Sequence, residues 1–366
     1  MRTHACHDGR ARKILSPPGV VSGLTWMSTD RLIFSTGSTG DGNLWSVSSA
    51  GGRSQPFVNL TQHGSQPSAS SEGRLVYTVG FRDVGIWQCS IGKEAKIFAG
   101  ARRVIASSGL DHSAQYSSDG KRIVFVSDRS GTPEIWTANS DGSDARQLTA
   151  ANGSPIGSPH WSPAEDRIVY DIVKDGYSAI YVMNADGGKR QVVVSGQENY
   201  MMPTWSRDGR AIYYTVQMRS GMKLAIWRKW WPQGRAEMLT YGRGDVFELS
   251  DGKTIYFNRR GDQQGIWQMP SAVGARASAI AALRNVHTSR YCAVTGSGMF
   301  YLAKSSPPWL IQFYNFSNRQ ISTAAPIHQT PEFGTPSLSV SPDEHTIMYS
   351  QLDQSGSDLM LWEEER

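Results

Sequence analysis

The chain has 366 residues, 39% of them hydrophobic and 19% charged, which supports a sizeable core and excludes a disordered or fibrous chain. The net charge of +5 is dispersed, with Lys and Arg never more than two in a row, as at Arg228-Lys229, so a solvated surface is expected and direct nucleic-acid binding is not. No run approaches the ~18 consecutive apolar residues of a membrane span.

At the amino end, Met1–Arg10 lacks the apolar core of a secretory signal. The expected location is cytoplasmic by default, or periplasmic if the chain is part of a longer membrane-anchored regulator. His4, Cys6 and His7 are close together, but structural zinc needs a second ligand cluster and none follows nearby. With Cys89 and Cys292 far away, neither a disulfide framework nor a CxxC metal pair can be drawn, and no metal or cofactor is expected. Ala11–Leu15, after Asp8-Gly9, reads as a lone strand.

From there the sequence repeats itself. Residues 113–149, 158–194 and 202–240 share one order: an aromatic, a Ser/Asp/Gly turn, an alternating apolar run, a polar loop, an Ile-Trp or Ile-Tyr pair, a second turn, a last apolar run. The equivalent first positions are Trp26, Ser70, Tyr116, Trp161, Trp205, Glu248, Val294 and Val340, spaced 43–46 residues apart. Units therefore start near 19, 65, 111, 156, 200, 244, 289 and 335, with 1–18 as a closing segment, and 1–366 reads as a single domain. Each unit reads as four antiparallel strands, a to d. In the third unit these are Ala114–Tyr116, Arg122–Val126, Glu134–Thr137 and Arg146–Leu148. Asp119-Gly120, Asp208-Gly209 and Asp251-Gly252 supply tight a–b hairpins, and Asp141-Gly142 and Asp186-Gly187 the c–d hairpins.

One such sheet cannot bury both faces alone. Radial stacking, face against face, solves this, so the predicted fold is an all-β propeller of eight four-stranded blades, with seven as the alternative. The last unit has strand a near Ser337–Val340, b at Thr346–Ser350 and c at Asp358–Trp362, but no d. Ala11–Leu15 is expected to fill that place and close the ring.

Ser127-Asp128-Arg129-Ser130-Gly131, Ile180-Tyr181 with Asp186-Gly187, and Gln147-Leu148-Thr149 resemble the TolB-type propeller repeat, a WD-like unit. The first, second, seventh and eighth units depart from it, with Thr29-Asp30, Ser71-Glu72-Gly73, Gly296-Ser297-Gly298 and Asp343-Glu344 at the first turn. The carboxyl end, Tyr349 to Leu361, resembles the propeller that ends bacterial winged-helix transcriptional regulators and Ser/Thr-kinase regulators. That resemblance implies the sensory or scaffolding part of such a regulator, without the effector's own activity.

No nucleophile elbow, phosphate loop or His-Glu-x-x-His occurs, so no catalytic residue is assigned. The expected function is a non-enzymatic interaction or sensing module. The alternative is an enzyme using the central channel, such as a metal-dependent polysaccharide lyase. Loops leading into strand a carry Gln66, Asp111, His112, Ser158, His160, Tyr200, Asp245, Arg290 and Tyr291, a candidate channel-mouth ligand site. The b–c loops carry Arg82, Arg129, Lys174, Arg219, Arg259, Arg260 and Lys304, a broken basic ring suited to an acidic protein or peptide, interleaved with Asp83, Asp128, Asp175 and Asp262. The Asp128-Arg129 pair can instead brace its own loop. Trp230-Trp231 replaces Asp-Gly in a c–d turn and is either a binding hot spot or packing against the neighbouring blade. A monomer is expected.

Overall fold

The structure, a computed structural model, describes residues 13–15, 21–36, 43–57, 64–91, 100–107, 109–174, 176–218, 224–249, 251–259, 264–284, 286, 291–303, 309–327, 329–332 and 337–363. The chain divides into two compact units, Asp83–Asp353 and Met1–Arg82 with Gln354–Arg366. Both are built from antiparallel sheets, and no described helix is long and apolar enough to cross a membrane.

In the larger unit the repeat produces the strands it should. Sheet I consists of Asp111–Tyr116, Arg122–Ser127, Glu134–Asn139 and Arg146–Gln147, in that spatial order. Sheet II follows with Ile156–Trp161, Arg167–Lys174, Tyr177–Asn184 and Gln191–Val194. Sheet III has Asn199–Trp205, Ala211–Gln217, Leu224–Trp230 and Ala236–Tyr241. Sheet IV has Arg243–Glu248, Thr254–Arg259, Gly265–Pro270 and Ser278–Ala279. Sheet V has Cys292–Val294, Gly298–Ala303, Trp309–Asn315 and Ile321–Ile327.

The period-2 pattern of strand b buries both faces. Ile123 and Phe125 of sheet I pack on Ile86, Ile105 and Met348, whereas Val124 packs on Ile168, Tyr170 and Met183 of sheet II. The a–b turns are closed by their own side chains. The Ser117 hydroxyl donates to Asp119 Oδ1 at 2.7 Å, Asp119 Oδ1 accepts the Lys121 N–H at 2.9 Å, and the Arg122 N–H reaches Ser117 Oγ at 3.0 Å. The same device recurs at Ser206 with Asp208 and at Ser341 with Asp343. This is why the Ser-x-Asp spacing marks these three hairpins.

Ring closure differs from the expectation. Sheet VI takes Leu338–Val340 and the start of Thr346–Trp362 from the carboxyl side, and the end of Leu75–Ser90 with Arg102–Ile105 from the amino side. The innermost strands of sheets I to VI are neighbours in succession, and Leu338–Val340 lies against Asp111–Tyr116. The Tyr116 N–H donates to Ser339 Oγ at 3.1 Å across that seam. Among the described residues six sheets follow one another in this unit, and the place beside the last repeat that Ala11–Leu15 was expected to fill is taken by Leu75–Ser90 and Arg102–Ile105. The missing partner of the last repeat is supplied by strands c and d of the second, which satisfies the open edge with a full pair of strands. Of Ala11–Leu15, residues 11 and 12 lie outside the described residues, as do His4, Cys6 and His7.

The smaller unit holds a four-stranded sheet of Val21–Trp26, Arg31–Thr36, Asn43–Ser48 and Gln55–Pro56. Gly64–Ala69 pairs there with the start of Leu75–Ser90. Ile33, Leu44, Phe57, Leu75, Tyr77 and Val79 form its core, against which Trp362 packs.

Candidate functional site

Strand a carries the local feature that shapes the inside of the ring. Its pairing with strand b slips between His112 and Gln115, between Gly157 and His160, and between Met201 and Thr204. Within each slip one residue adopts a left-handed backbone: Ser113 at φ 56°, Ser158 at 49° and Met202 at 56°. These β-bulges turn the second half of the strand, and such re-aiming is characteristic of barrel and ring rims.

Beyond the bulges, the a–b hairpin ends of all six sheets surround a cavity of about 360 Å3. Each sheet contributes, with Tyr116, Trp161, Trp205, Phe247, Val294 and Ser339 among the wall residues. Charge enters through Arg207, Glu248 and Glu344. The Glu248 carboxylate accepts the Arg207 N–H at 2.6 Å and the Tyr213 hydroxyl at 2.8 Å, so it is held in place. The volume lies within the ~300–1,000 Å3 range of ligand pockets, and the wall mixes aromatic and hydroxyl groups.

Of the residues expected at the opposite, strand-a-leading end, His160 alone lines this cavity. Asp111 is fully buried, ion-paired at 2.9 Å with Arg129, and accepts the Ser107 N–H at 2.9 Å. His112 is half-buried, its Nδ1 3.0 Å from Ser113 Oγ. Ser158 is a buried bulge residue. Tyr200 stands edge-on to Tyr214 with centroids 6.2 Å apart, and burial raises its phenol above the usual value. Asp245 is buried. Tyr291 has no exposure, and its hydroxyl lies 2.7 and 2.8 Å from the carbonyl oxygens of Glu332 and Ser350, so it joins sheets V and VI as a core residue. Gln66, in the smaller unit, is a bulge residue at φ 50°. Arg290 lies outside the described residues.

The basic ring is also reduced. Arg82 lies inside the uninterrupted strand Leu75–Ser90, not in a hairpin loop. Arg129 donates to Asp111 and to Ser127 Oγ at 2.8 Å and lies over Phe125 and Trp136, while Asp128 Oδ1 accepts the Leu110 N–H at 2.7 Å. Both residues brace their loop. Arg259 bonds the Tyr241 carbonyl and Thr240 Oγ1, each at 3.0 Å, and stacks 4.1 Å from the Trp267 ring. Lys174 is exposed at a b–c hairpin, 4.9 Å from the Tyr181 ring. Arg219, Arg260 and Lys304 lie outside the described residues, as do Asp175 and Asp262.

The tryptophan pair divides. Trp231 packs edge-on against Trp205 at 5.9 Å, with Arg167 of sheet II 5.9 Å from its ring. Trp230 is 36% exposed and stacks on Arg228 at 4.5 Å. Cys89 and Cys292 are free and buried, and burial pushes the Cys89 thiol up to about 12. Among the described residues no three His, Cys, Asp or Glu side chains converge as metal ligands would.

The cavity wall was legible in part. Tyr116, Trp161, Trp205, Glu248, Val294 and Val340, the positions that mark the repeat, are themselves lining residues. A marker at the end of strand a in every unit must gather at one end of a ring.

No family model matches the chain. An uncharacterised protein of Agrobacterium fabrum is 32% identical over 124 residues, 31% of this chain and 42% of that protein. The Tol-Pal system protein TolB of Bordetella pertussis is 30% identical over 146 residues, 28% of this chain and 33% of that protein. These matches span less than half the length of the curated relatives. Among solved structures, a TolB-like protein of Agrobacterium tumefaciens superposes with a TM-score of 0.55 at 18% identity, covering 75% of this chain and 99% of its own. The class is therefore a β-propeller. Over part of its length the chain is similar to TolB proteins.

Proposed function

We propose that the chain is a non-enzymatic interaction module that takes a protein or peptide segment at the a–b hairpin mouth of the six-sheet ring. The observation carrying this reading is the cavity of about 360 Å3 walled by all six sheets, whose aromatic and hydroxyl groups sit on a rigid framework. The Bordetella relative's name places that protein in the Tol-Pal system, which agrees with a role in assembly with other proteins. A sensory or scaffolding place within a larger bacterial regulator, suggested by the carboxyl-end resemblance, belongs to the same proposal. Lys174, exposed at a b–c hairpin, is a second position at which an acidic segment would be held by salt-sensitive attraction.

Photo-crosslinking residues placed at Gln115 or Thr295, in the mouth, and at Lys174, on the b–c side, test the reading in the cell of origin. Recovery of the same polypeptide from both mouth positions and not from position 174 is expected. Recovery from position 174 alone moves the interface to the b–c loops. Metal-dependent cleavage of an acidic polysaccharide by the purified chain overturns the non-enzymatic reading.

A further inference from the structure

A second cavity, of about 380 Å3, opens between sheets III and IV beside the a–b and c–d hairpins and shares Ser206, Arg207 and Glu248 with the wall of the ring mouth. Its most unusual wall residue is Arg228, only 8% exposed. Arg228 Nη2 donates to Glu237 Oε2 at 2.8 Å and Nη1 to the Ser271 carbonyl at 2.8 Å, yet its buried Nε–H has no hydrogen-bond partner. Leaving such a donor without an acceptor is unfavourable, and because the Nε atom is itself closed off from solvent the guanidinium enters the wall as a fixed buried charge under the indole, not as a donor to the cavity. Above the guanidinium lies the Trp230 ring, 36% exposed in a hairpin where other repeats carry Asp-Gly. Tyr213 and Ser271 continue the wall, their hydroxyl oxygens 2.6 Å apart, and Glu248 holds the Tyr213 hydroxyl at 2.8 Å.

The charges decide the ligand class. Arg207 and Arg228 face Asp208, Glu248 and Asp251, so cations and carboxylates nearly balance. An anion would meet three carboxylates, and a cation would meet a buried guanidinium already stacked on the indole. A neutral ligand with many hydroxyls meets neither penalty. It can give hydrogen bonds to the carboxylates, which retain free lone pairs. We propose that this cavity binds a neutral sugar, with Trp230, held on Arg228, as the stacking platform and the Glu248 and Asp251 carboxylates as acceptors. An amphipathic aromatic ring beside hydroxyl-seeking groups is the chemistry that holds a pyranose, with its apolar C–H face and polar rim.

The test is titration of the full chain with D-glucose, D-galactose, D-mannose and N-acetylglucosamine, followed by calorimetry and saturation-transfer NMR. Glucuronate and glucosamine serve as the charged counterparts. Saturable binding of at least one neutral probe is expected, weakened about tenfold or more by Trp230→Ala and held within about threefold by Trp230→Phe. Glu248→Gln, which leaves Trp230 in place, is expected to weaken the same probe about threefold to tenfold. Three results overturn the proposal: no saturable neutral probe, undiminished binding in both Trp230→Ala and Glu248→Gln, or a charged probe that binds more tightly than every neutral one.

Discussion

Replacing Arg129 by Met asks whether the Ser-Asp-Arg loop is a brace or a contact surface. The guanidinium is 2.9 Å from the fully buried Asp111 carboxylate, bonds Ser127 Oγ at 2.8 Å, and lies 5.0 Å from the Trp136 ring. Removing one partner of a buried pair typically destabilises by about 3–5 kcal/mol. Here the Arg129 side chain is 22% exposed and Asp111 keeps the Ser107 N–H, so solvent and that bond offset part of the loss. The expected destabilisation is about 2–4 kcal/mol, read from urea unfolding followed by far-UV circular dichroism. Lys174→Met, at an exposed hairpin end, should stay within about 0.5 kcal/mol of the parent. In a double-mutant cycle, Asp111→Asn with Arg129→Met should recover about 1–3 kcal/mol relative to the sum of the single changes. A loss below about 0.5 kcal/mol for Arg129→Met, or strict additivity in the cycle, refutes the brace.

The tryptophans should separate in the same assay. Trp231→Ser is expected to lose about 2–4 kcal/mol through its contacts with Trp205 and Arg167, and Trp230→Ser less than about 1 kcal/mol; equal losses would contradict their different packing. Acid should act through the hairpin aspartates. The N–H of Lys121 holds Asp119 below its ordinary value, that of Lys253 does so for Asp251, and the Ser341 hydroxyl with the His345 N–H does so for Asp343. A carboxyl depressed in the folded state stabilises above its unfolded value of about 3.9, and that contribution disappears as pH falls through the folded value. The Tm of a variant with all three changed to Asn should lie below the parent's at pH 6 and converge with it toward pH ~2.5; a constant gap across that window counts against the linkage.

Strand positions were legible because strand b and strand c carry a pattern that only a two-sided sheet satisfies. Arg122–Val126 was expected and Arg122–Ser127 is found; Glu134–Thr137 was expected and Glu134–Asn139 is found. Partner choice at the closing sheet was not legible. Ile86-Trp87 and Leu361-Trp362 are the same apolar-aromatic signal at the same place in the repeat, so either can serve as strand c beside a given strand b. Repeats that resemble one another leave pairing underdetermined by local sequence, and the choice is made by which edges meet in space. Asp111 and Tyr291 depart from expectation for another reason. Asp111 and Tyr291 are polar in sequence but find their partners, Arg129 and two carbonyls, inside the protein. Sequence shows a polar group and does not show whether its hydrogen bonds are made internally.

Departures from the repeat motif carry their own information, and Glu165 tests this. Where other a–b turns place Gly120, Gly209 and Gly252 at φ 73°, 68° and 64°, sheet II has Glu165 at φ 60° and sheet VI has Glu344 at 58°. A side chain in that left-handed conformation costs about 1–2 kcal/mol. Each carboxylate uses it to reach the hairpin of the preceding sheet. Glu165 accepts the Ser118 hydroxyl and the Asp119 N–H, and Glu344 accepts the Ser297 hydroxyl and its N–H. Hydrogen bonds to a charged group contribute about 1.5–3 kcal/mol, enough to offset the strain. Glu165→Ala should keep the strain and lose the latch, for a destabilisation of about 1–3 kcal/mol. Glu165→Gly loses the latch but relaxes the backbone, and should recover about 1 kcal/mol of that loss after its greater unfolded-state entropy is counted. The order parent, Gly, Ala in unfolding midpoint is therefore expected. An alanine variant as stable as the parent would mean that the carboxylate does not tie sheets I and II. A glycine variant below alanine would mean that the left-handed turn stores no strain.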